Sequence, residues 1–355
     1  MRIEPVSMDD SERLVAEVSQ ALASGMPLRI RGGDSKAFLG RPVQGTPIDT
    51  RSHRGVVSYD PTELVITARA GTPLAELNAT LDAAGQMLPC EPPAFDGAAT
   101  VGGMVAAGLA GPRRPWSGSV RDFVLGCRVI TGHAKHLRFG GEVMKNVAGF
   151  DVSRLMAGSM GCLGVISEVS LKVLPKPRAQ HSLQIEMAPT DALEKLTEWR
   201  RSGLPVTGAC HVGHTLYLRL EGGTASVKAA ADRVGGQEID PSFWTALREQ
   251  RLPFFDGSES LWRLSVPNRV GAESLPGVVA LDWGGAQRWL KSNAPAASIR
   301  RIADAVGGHA TCFTPTAGVE PFHPLPAPML RFHQQLKQKL DPHRVFNLGR
   351  MYSEL

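Results

Sequence analysis

Apolar positions along this chain switch between a helical period and strict alternation. Between Ser7 and Ser24, Leu14, Val15, Val18, Ala21 and Leu22 fall on one helical face, and Gly25 supplies a stop. Leu28–Arg31 reads as a short strand and Leu64–Ala68 as a second β-rich run. Thr72-Pro73 is expected to cap a helix through Ala84, with Leu74, Leu77 and Leu81 on its buried face and Gly85 ending it. Burying those leucines contributes about 1.5–3 kcal/mol each. Strands are expected over Phe123–Ile130 and Leu137–Gly141, and a short helix over Val152–Ala157. Val169, Leu171 and Val173 then alternate with Glu168, Ser170 and Lys172, as in a half-buried strand.

Pro175-Lys176-Pro177 reads as a linker, and the pattern changes after it. A strand (His181–Met187), a helix (Thr190–Ser202), two strands (Pro205–Val212 and Thr215–Glu221) and a helix (Thr224–Val234) follow. Another helix opens at Asp240-Pro241, and the segments out to Phe313 read as strand, strand, helix, strand. After the proline-rich stretch Pro315–Pro328 come a last helix near Met329–Leu340 and a tail. Strand and helix alternate in the first half, and the second reads as a two-layer α+β unit with an antiparallel sheet. The expected domains are residues 1–177, residues 178–325, and a carboxy-terminal helix and tail, 326–355, returning to the first.

Composition narrows the function. The chain has 355 residues, enough for two cores, and its 43% hydrophobic and 21% charged residues are ordinary for a globular protein. A net charge of +5 favours an acidic small substrate or partner. The basic residues are scattered, with Arg113-Arg114 read as a solvated loop pair or, alternatively, as a pair attracting an α-hydroxy acid anion, and no basic run is interleaved with aromatics, which argues against nucleic acid. Cys90, Cys127, Cys162, Cys210 and Cys312 are widely spaced and form no C-x-x-C pair, against a disulfide framework, zinc or an iron–sulfur cluster. The start, Met1-Arg2-Ile3-Glu4-Pro5, lacks a signal-peptide core, and no apolar run reaches the length of a membrane span. The expected location is cytoplasmic.

Three glycine-rich stretches carry the candidate chemistry: Arg31-Gly32-Gly33-Asp34-Ser35-Lys36, Asp96-Gly97-Ala98-Ala99-Thr100-Val101-Gly102-Gly103, and Gly158 through Ile166. Backbone without Cβ atoms approaches a ligand closely, and its N–H groups suit a phosphate. Any one of these stretches taken alone is more often a tight turn. Neither G-x-G-x-x-G nor G-x-x-x-x-G-K-[ST] occurs.

The ordered set Arg31-Gly32-Gly33, Ala99-Thr100-Val101-Gly102-Gly103, Gly118 through Gly126, and Gly158-x-x-Gly161-x-Leu163-Gly164-Val165-Ile166 resembles the FAD-binding domain of the vanillyl-alcohol oxidase/p-cresol methylhydroxylase superfamily. Lys145 through Asp151, with the ending Phe346-Asn347-x-Gly349-Arg350-Met351, resembles its D-2-hydroxyacid dehydrogenase branch and, within it, the FAD-binding subunits of bacterial glycolate oxidases. The resemblance implies a two-lobed FAD-binding domain followed by a smaller antiparallel α+β cap. It also implies an enzyme that oxidises glycolate to glyoxylate, in which a second flavoprotein subunit and an iron–sulfur subunit are partners and membrane association is at most peripheral.

On that resemblance, the pyrophosphate is expected at Arg31, Gly32, Gly33, Asp34, Ser35 and Lys36, and a second contact at Gly97, Thr100, Gly102 and Gly103. The adenine side is expected at Gly161, Gly164, Val165 and Ile166. Lys145, Asn146 and Asp151 match a stretch near the flavin and are the candidates for catalysis, with a solvated turn as the other reading. The first loop lacks the histidine that links the flavin in covalent branches, so the expected FAD is non-covalent. Cys210 through Tyr217 lacks the Asp-Gly-Asn core of the branch's metal motif, so His211 and His214 are expected to be ordinary hairpin histidines and no metal is expected. Two alternatives stay open: a structural or assembly subunit with a vestigial flavin site, and a stand-alone FAD-dependent dehydrogenase of another hydroxy compound.

Overall fold

A computed structural model describes residues 8–141, 150–268, 270–271 and 275–355. The chain divides into two compact units, one made of Met1–Ala110, Gly118–Pro175 and Pro324–Leu355, the other of Gly111–Ser117 and Lys176–His323. The sequence pattern alone places Gly111–Ser117 within a continuous first domain; the structure groups it with the second unit.

The first unit is built on a five-stranded antiparallel sheet. Its order is Val56–Asp60, Val65–Arg69, Val165–Lys172, Val124–Ile130 and His136–Gly140. The central strand carries the predicted alternation of Val169 and Leu171, and both are buried in the core with Ile66, Leu74, Leu77 and Leu81. A separate parallel pair, Leu28–Arg31 with Thr46–Asp49, is extended by a bridge from Leu28 to Phe346. Helix Ser11–Ser24 packs Leu14, Val18 and Ala21 into that smaller core and ends at Gly25 in the left-handed conformation.

Local boundaries depart from the sequence reading where a side chain has other work. Helix Leu74–Ala83 takes Pro73 as its N-cap residue, and Thr72 does not cap it. The Thr72 hydroxyl, fully buried, instead accepts the N–H of Gly55 at 2.9 Å. Val120–Phe123 is a helical turn, so the strand begins at Val124. A capping box closes that turn, with the Asp122 carboxylate accepting the N–H of Ser119.

The second unit is an eight-stranded antiparallel sheet in the order Gln237–Glu238, Ala179–Glu186, Thr215–Gly222, Val206–Val212, Val278–Asp282, Gln287–Lys291, Leu261–Ser265 and His309–Cys312. Three strands, rather than the expected two, precede helix Ala296–Ala305. Leu216, Leu218 and Leu220 pack with Trp199 of helix Pro189–Arg201. Arg113 is buried, contrary to a solvated loop pair, because it is ion-paired with the buried Glu221. The same carboxylate accepts the Thr207 hydroxyl at 2.5 Å and lies 3.6 Å from Arg219. The network joins the short helix Arg114–Ser117 to the sheet.

All five cysteines are free and buried. No helix among the described residues is long and apolar enough to cross a membrane.

Candidate functional site: a cationic cleft over the first glycine loop

The first glycine loop leaves strand Leu28–Arg31 at Gly32 and lines an open cleft of about 100 Å³. Gly32, Gly33, Asp34, Ser35 and Lys36 form one wall, while Thr100, Gly103, Ala106 and Met160 come from the other two glycine-rich segments. Among the described residues, no hydrogen bond within the chain takes up the backbone N–H groups of Gly32, Gly33, Asp34 or Ser35. Four unclaimed donors in succession are unusual for partly buried backbone, since such groups are nearly always paired.

The glycines here are required by contact. A Cβ on Gly33 would overlap the carbonyl of Ala98, and one on Gly32 would collide with the Thr100 hydroxyl oxygen. The first loop therefore lies flush against the second. Asp34 takes a positive φ of 54° and turns the chain, and its carboxylate is held by Arg29 at 2.8 Å and Arg31 at 3.5 Å. The Nε of Arg31 is buried without a hydrogen-bond partner. Arg29, Arg31, Lys36 and Arg350 thus line the cleft against the carboxylate of Asp34.

The second stretch starts a helix. Thr100 is the N-cap of helix Val101–Ala107, its side chain accepting the N–H of Gly103 at 3.3 Å. The N–H groups of Val101 and Gly102 donate to the carbonyls of Thr72 and Ala70. This helix start consequently has few donors left for an anion. Gly102 is buried away from the cleft, and a Cβ there would lie 2.6 Å from that of Ala70. Its glycine serves close packing of helix on strand. Thr100 and Gly103 do line the cleft, and Gly97 does not.

In the third stretch Met160 reaches the cleft, but Gly161, Gly164, Val165 and Ile166 do not line it. Gly164 has φ 154° and lies against Ile130, where a Cβ would come within 2.9 Å of the carbonyl. Val165 and Ile166 begin a central strand, paired with Ile130 and Val129, and both are buried. Gly161, with φ 73°, faces Asn347, whose Nδ2 a Cβ would approach to 2.6 Å.

Two residues that contribute strongly to the cleft come from the carboxy-terminal tail. The Asn347 Oδ1 accepts the N–H of Ile30 at 2.8 Å, and its Nδ2 donates to the carbonyl of Met160 at 2.8 Å. It thereby ties the first loop's strand to the third loop. Arg350 donates to the carbonyls of Lys36, Ala37 and Arg41 at 3.1–3.2 Å, fastening the far end of the first loop. The tail motif was visible in the sequence, but nothing local marked its role: Asn347 and Ile30 are 317 positions apart.

Of the catalytic candidates, Lys145 and Asn146 lie outside the described residues. Asp151 is the N-cap of helix Val152–Met156, accepting the N–H of Arg154 at 3.0 Å. In the second unit, the His211 ring is hydrogen-bonded to the carbonyl of Met187 at 2.9 Å, and burial lowers its pKa. No group of three or more His, Cys, Asp or Glu side chains suited to a metal occurs among the described residues.

The cleft fits a pyrophosphate: successive free N–H donors, an excess of cations, and glycines that no side chain can replace. Among the described residues, no histidine, tyrosine or cysteine lines it.

Comparison with known proteins shows the family. A family model described as an FAD binding domain matches residues 5–140. The glycolate oxidase subunit GlcE of Escherichia coli K12 is 60% identical over 347 residues, covering 98% of this chain and 99% of that protein. The glycolate oxidase subunit GlcD of Bacillus subtilis is 28% identical over 183 residues, 51% of this chain and 38% of that protein. A D-lactate dehydrogenase of Anaerostipes hadrus is 33% identical over the same length and shares. Among solved structures, an alkyldihydroxyacetonephosphate synthase superposes with a TM-score of 0.69 at 16% identity, covering 96% of this chain and 75% of that one.

Proposed function

Because the chain belongs to the glycolate oxidase GlcE family and carries an FAD binding domain, we propose that it is the FAD-binding subunit of a glycolate oxidase complex. Bound FAD supplies a two-electron acceptor, so that glycolate loses a hydride from its hydroxyl-bearing carbon and a proton from its hydroxyl to become glyoxylate. The chain's own residues hold and orient that cofactor. The N–H groups of Gly32, Gly33, Asp34 and Ser35 receive the pyrophosphate, with Arg31 and Lys36 adding charge. Thr100 holds the N-cap and leaves its hydroxyl hydrogen free to donate into the cleft. Asn347 and Arg350 keep the loop in its binding shape.

The FAD is held non-covalently, since the first loop, Arg31 through Lys36, carries no histidine, tyrosine or cysteine for a flavin link. Electrons leave through a partner iron–sulfur subunit, because this chain has no cysteine spacing for a cluster. A GlcD-type flavoprotein is the other partner. The complex works on the cytoplasmic side, with any membrane contact peripheral.

The run of four unclaimed N–H groups carries this reading. Its test is purification of the chain alone and after co-expression with a GlcD-type and an iron–sulfur subunit, followed by the flavin spectrum and glycolate-dependent dye reduction. The expected result is a yellow chain and an active complex. A colourless chain that stays colourless after soaking with FAD overturns it.

A further inference from the structure

Arg263 stands on strand Leu261–Ser265 of the second unit, where the strand alternates between two faces. Trp262 and Leu264 turn into the core with Ile299 and Ala303 of helix Ala296–Ala305. Arg263 turns to the opposite face, directly across from Trp289 on one neighbouring strand and Thr311 on the other. Its guanidinium lies 5.0 Å from the ring centroid of Phe313, which is itself packed edge-on against Trp289 at 5.0 Å.

Among the described residues Arg263 has no hydrogen bond to any group and no carboxylate within ion-pair distance. The charge that bears on it is another cation. Burial first, and then the charge of Arg114, pull its pKa down from 12.5 to about 10. Arg114 is seated over the Trp283 ring, 4.3 Å from its centroid. A partly buried guanidinium with an aromatic wall, a hydroxyl beside it and a like charge nearby is expensive to maintain without an anion. Aromatic faces offset part of that cost, but they leave the in-plane N–H donors of Arg263 unused.

We propose that Arg263, assisted by Arg114 and the Thr311 hydroxyl, forms a binding site for a small organic carboxylate, and that this site takes the carboxylate of the hydroxy-acid substrate. The second clause rests on the function proposed above. A planar carboxylate matches the guanidinium fork, and the flanking Trp289 and Phe313 rings restrict the site to a short ligand. Arg263 is here a substrate-binding residue with no part in proton or hydride movement.

The test has two arms. In the first, the full chain is titrated with acetate and with acetamide, its neutral counterpart of the same shape, while tryptophan fluorescence is followed. Acetate should give a saturable change and acetamide none. Arg263→Gln should weaken acetate binding about 10- to 100-fold, and Arg263→Lys less. Arg114→Gln, at an exposed position, serves as a second variant whose folding is not in question and should weaken acetate several-fold. Equal binding of acetate and acetamide, or unchanged acetate binding in both glutamine variants, overturns the site.

In the second arm, the co-expressed complex is assayed with glycolate. Arg263→Gln should raise KM about 10- to 100-fold with flavin content unchanged and kcat affected less. An unchanged KM, with acetate binding lost in the first arm, overturns the assignment to substrate. If the wild-type complex fails to oxidise glycolate while acetate still binds through Arg263, the proposed function fails and the carboxylate site stands.

Discussion

Lys337 Nζ lies 2.7 Å from Asp341 Oδ2, and both side chains are buried, one turn apart at the end of the last helix. The ammonium spends its other two hydrogens on the carbonyls of Cys162 and Phe346, at 2.7 and 2.8 Å. The carboxylate accepts the N–H groups of Val345 and Phe346, both at 3.0 Å. One ion pair therefore fastens the third glycine segment, the last helix and the tail that carries Asn347 and Arg350.

Removing either partner leaves a buried charge without its complement. Lys337→Met or Asp341→Asn should destabilise the chain by about 3–5 kcal/mol, and the double variant should cost less than the sum. Urea unfolding of the four proteins measures both quantities; strictly additive losses would show the pair is uncoupled.

Gly33 and Gly102 should respond differently to the same added methyl group. Gly33→Ala would drive a Cβ into the Ala98 carbonyl, forcing the first loop off the second. Most bound flavin should be lost from a chain that remains folded. Gly102→Ala overpacks Ala70 and should cost about 1–3 kcal/mol while leaving flavin per folded molecule unchanged. Flavin-to-protein absorbance ratios beside thermal unfolding separate the two.

Asn347→Ala breaks two hydrogen bonds that tie Ile30 to Met160. A loss of about 1–3 kcal/mol in stability is expected. FAD affinity should fall as well, because the strand that positions Gly32 is released. Titration of the FAD-free protein with FAD tests this: an affinity equal to wild type would show that the tail does not shape the cleft.

Stability should fall on acidification well before carboxylates titrate. His53 is buried, its Nδ1 accepting the N–H of Asp10 at 2.9 Å, and burial, partly opposed by Asp9, lowers its pKa to about 4. The unfolded chain, with its imidazole near 6.5, binds a proton that the folded chain refuses. Stability is therefore intact above about pH 6.5 and falls by about 3 kcal/mol on the way to pH 4. His136, His211 and His309 are shifted downward too and add to the same slope. Denaturation midpoints against pH should show this arm, and His53→Asn should flatten part of it.

Much of the fold was readable before any coordinates. Leu14, Val18 and Ala21, and again Leu74, Leu77 and Leu81, announce their helices through spacing alone, and each set is buried. The first glycine loop was readable for the same local reason: Arg31-Gly32-Gly33 follows a strand, and the cleft lies against it. Less readable were Thr72, Gly102 and Val165, whose sequence surroundings suit a cap, a phosphate loop and an adenine contact. Their partners within the chain are Gly55, Ala70 and Ile130. Each partner lies at least 15 positions away, where local sequence carries no sign of it.

Periodicity and local backbone chemistry are properties of consecutive residues, so the sequence by itself determined the helices, most strands, the glycine turns and the family they mark. What the tertiary structure decided is which N–H groups stay unclaimed and which charges go unpaired. Only folding shows that Gly102 gives its N–H to Ala70 and that, among the described residues, Gly32 through Ser35 keep theirs and Arg263 faces an aromatic wall with no carboxylate within ion-pair distance. Hydrogen-bond and charge satisfaction are settled by every element that arrives at a site, and those arrivals span the chain from Ile30 to Asn347.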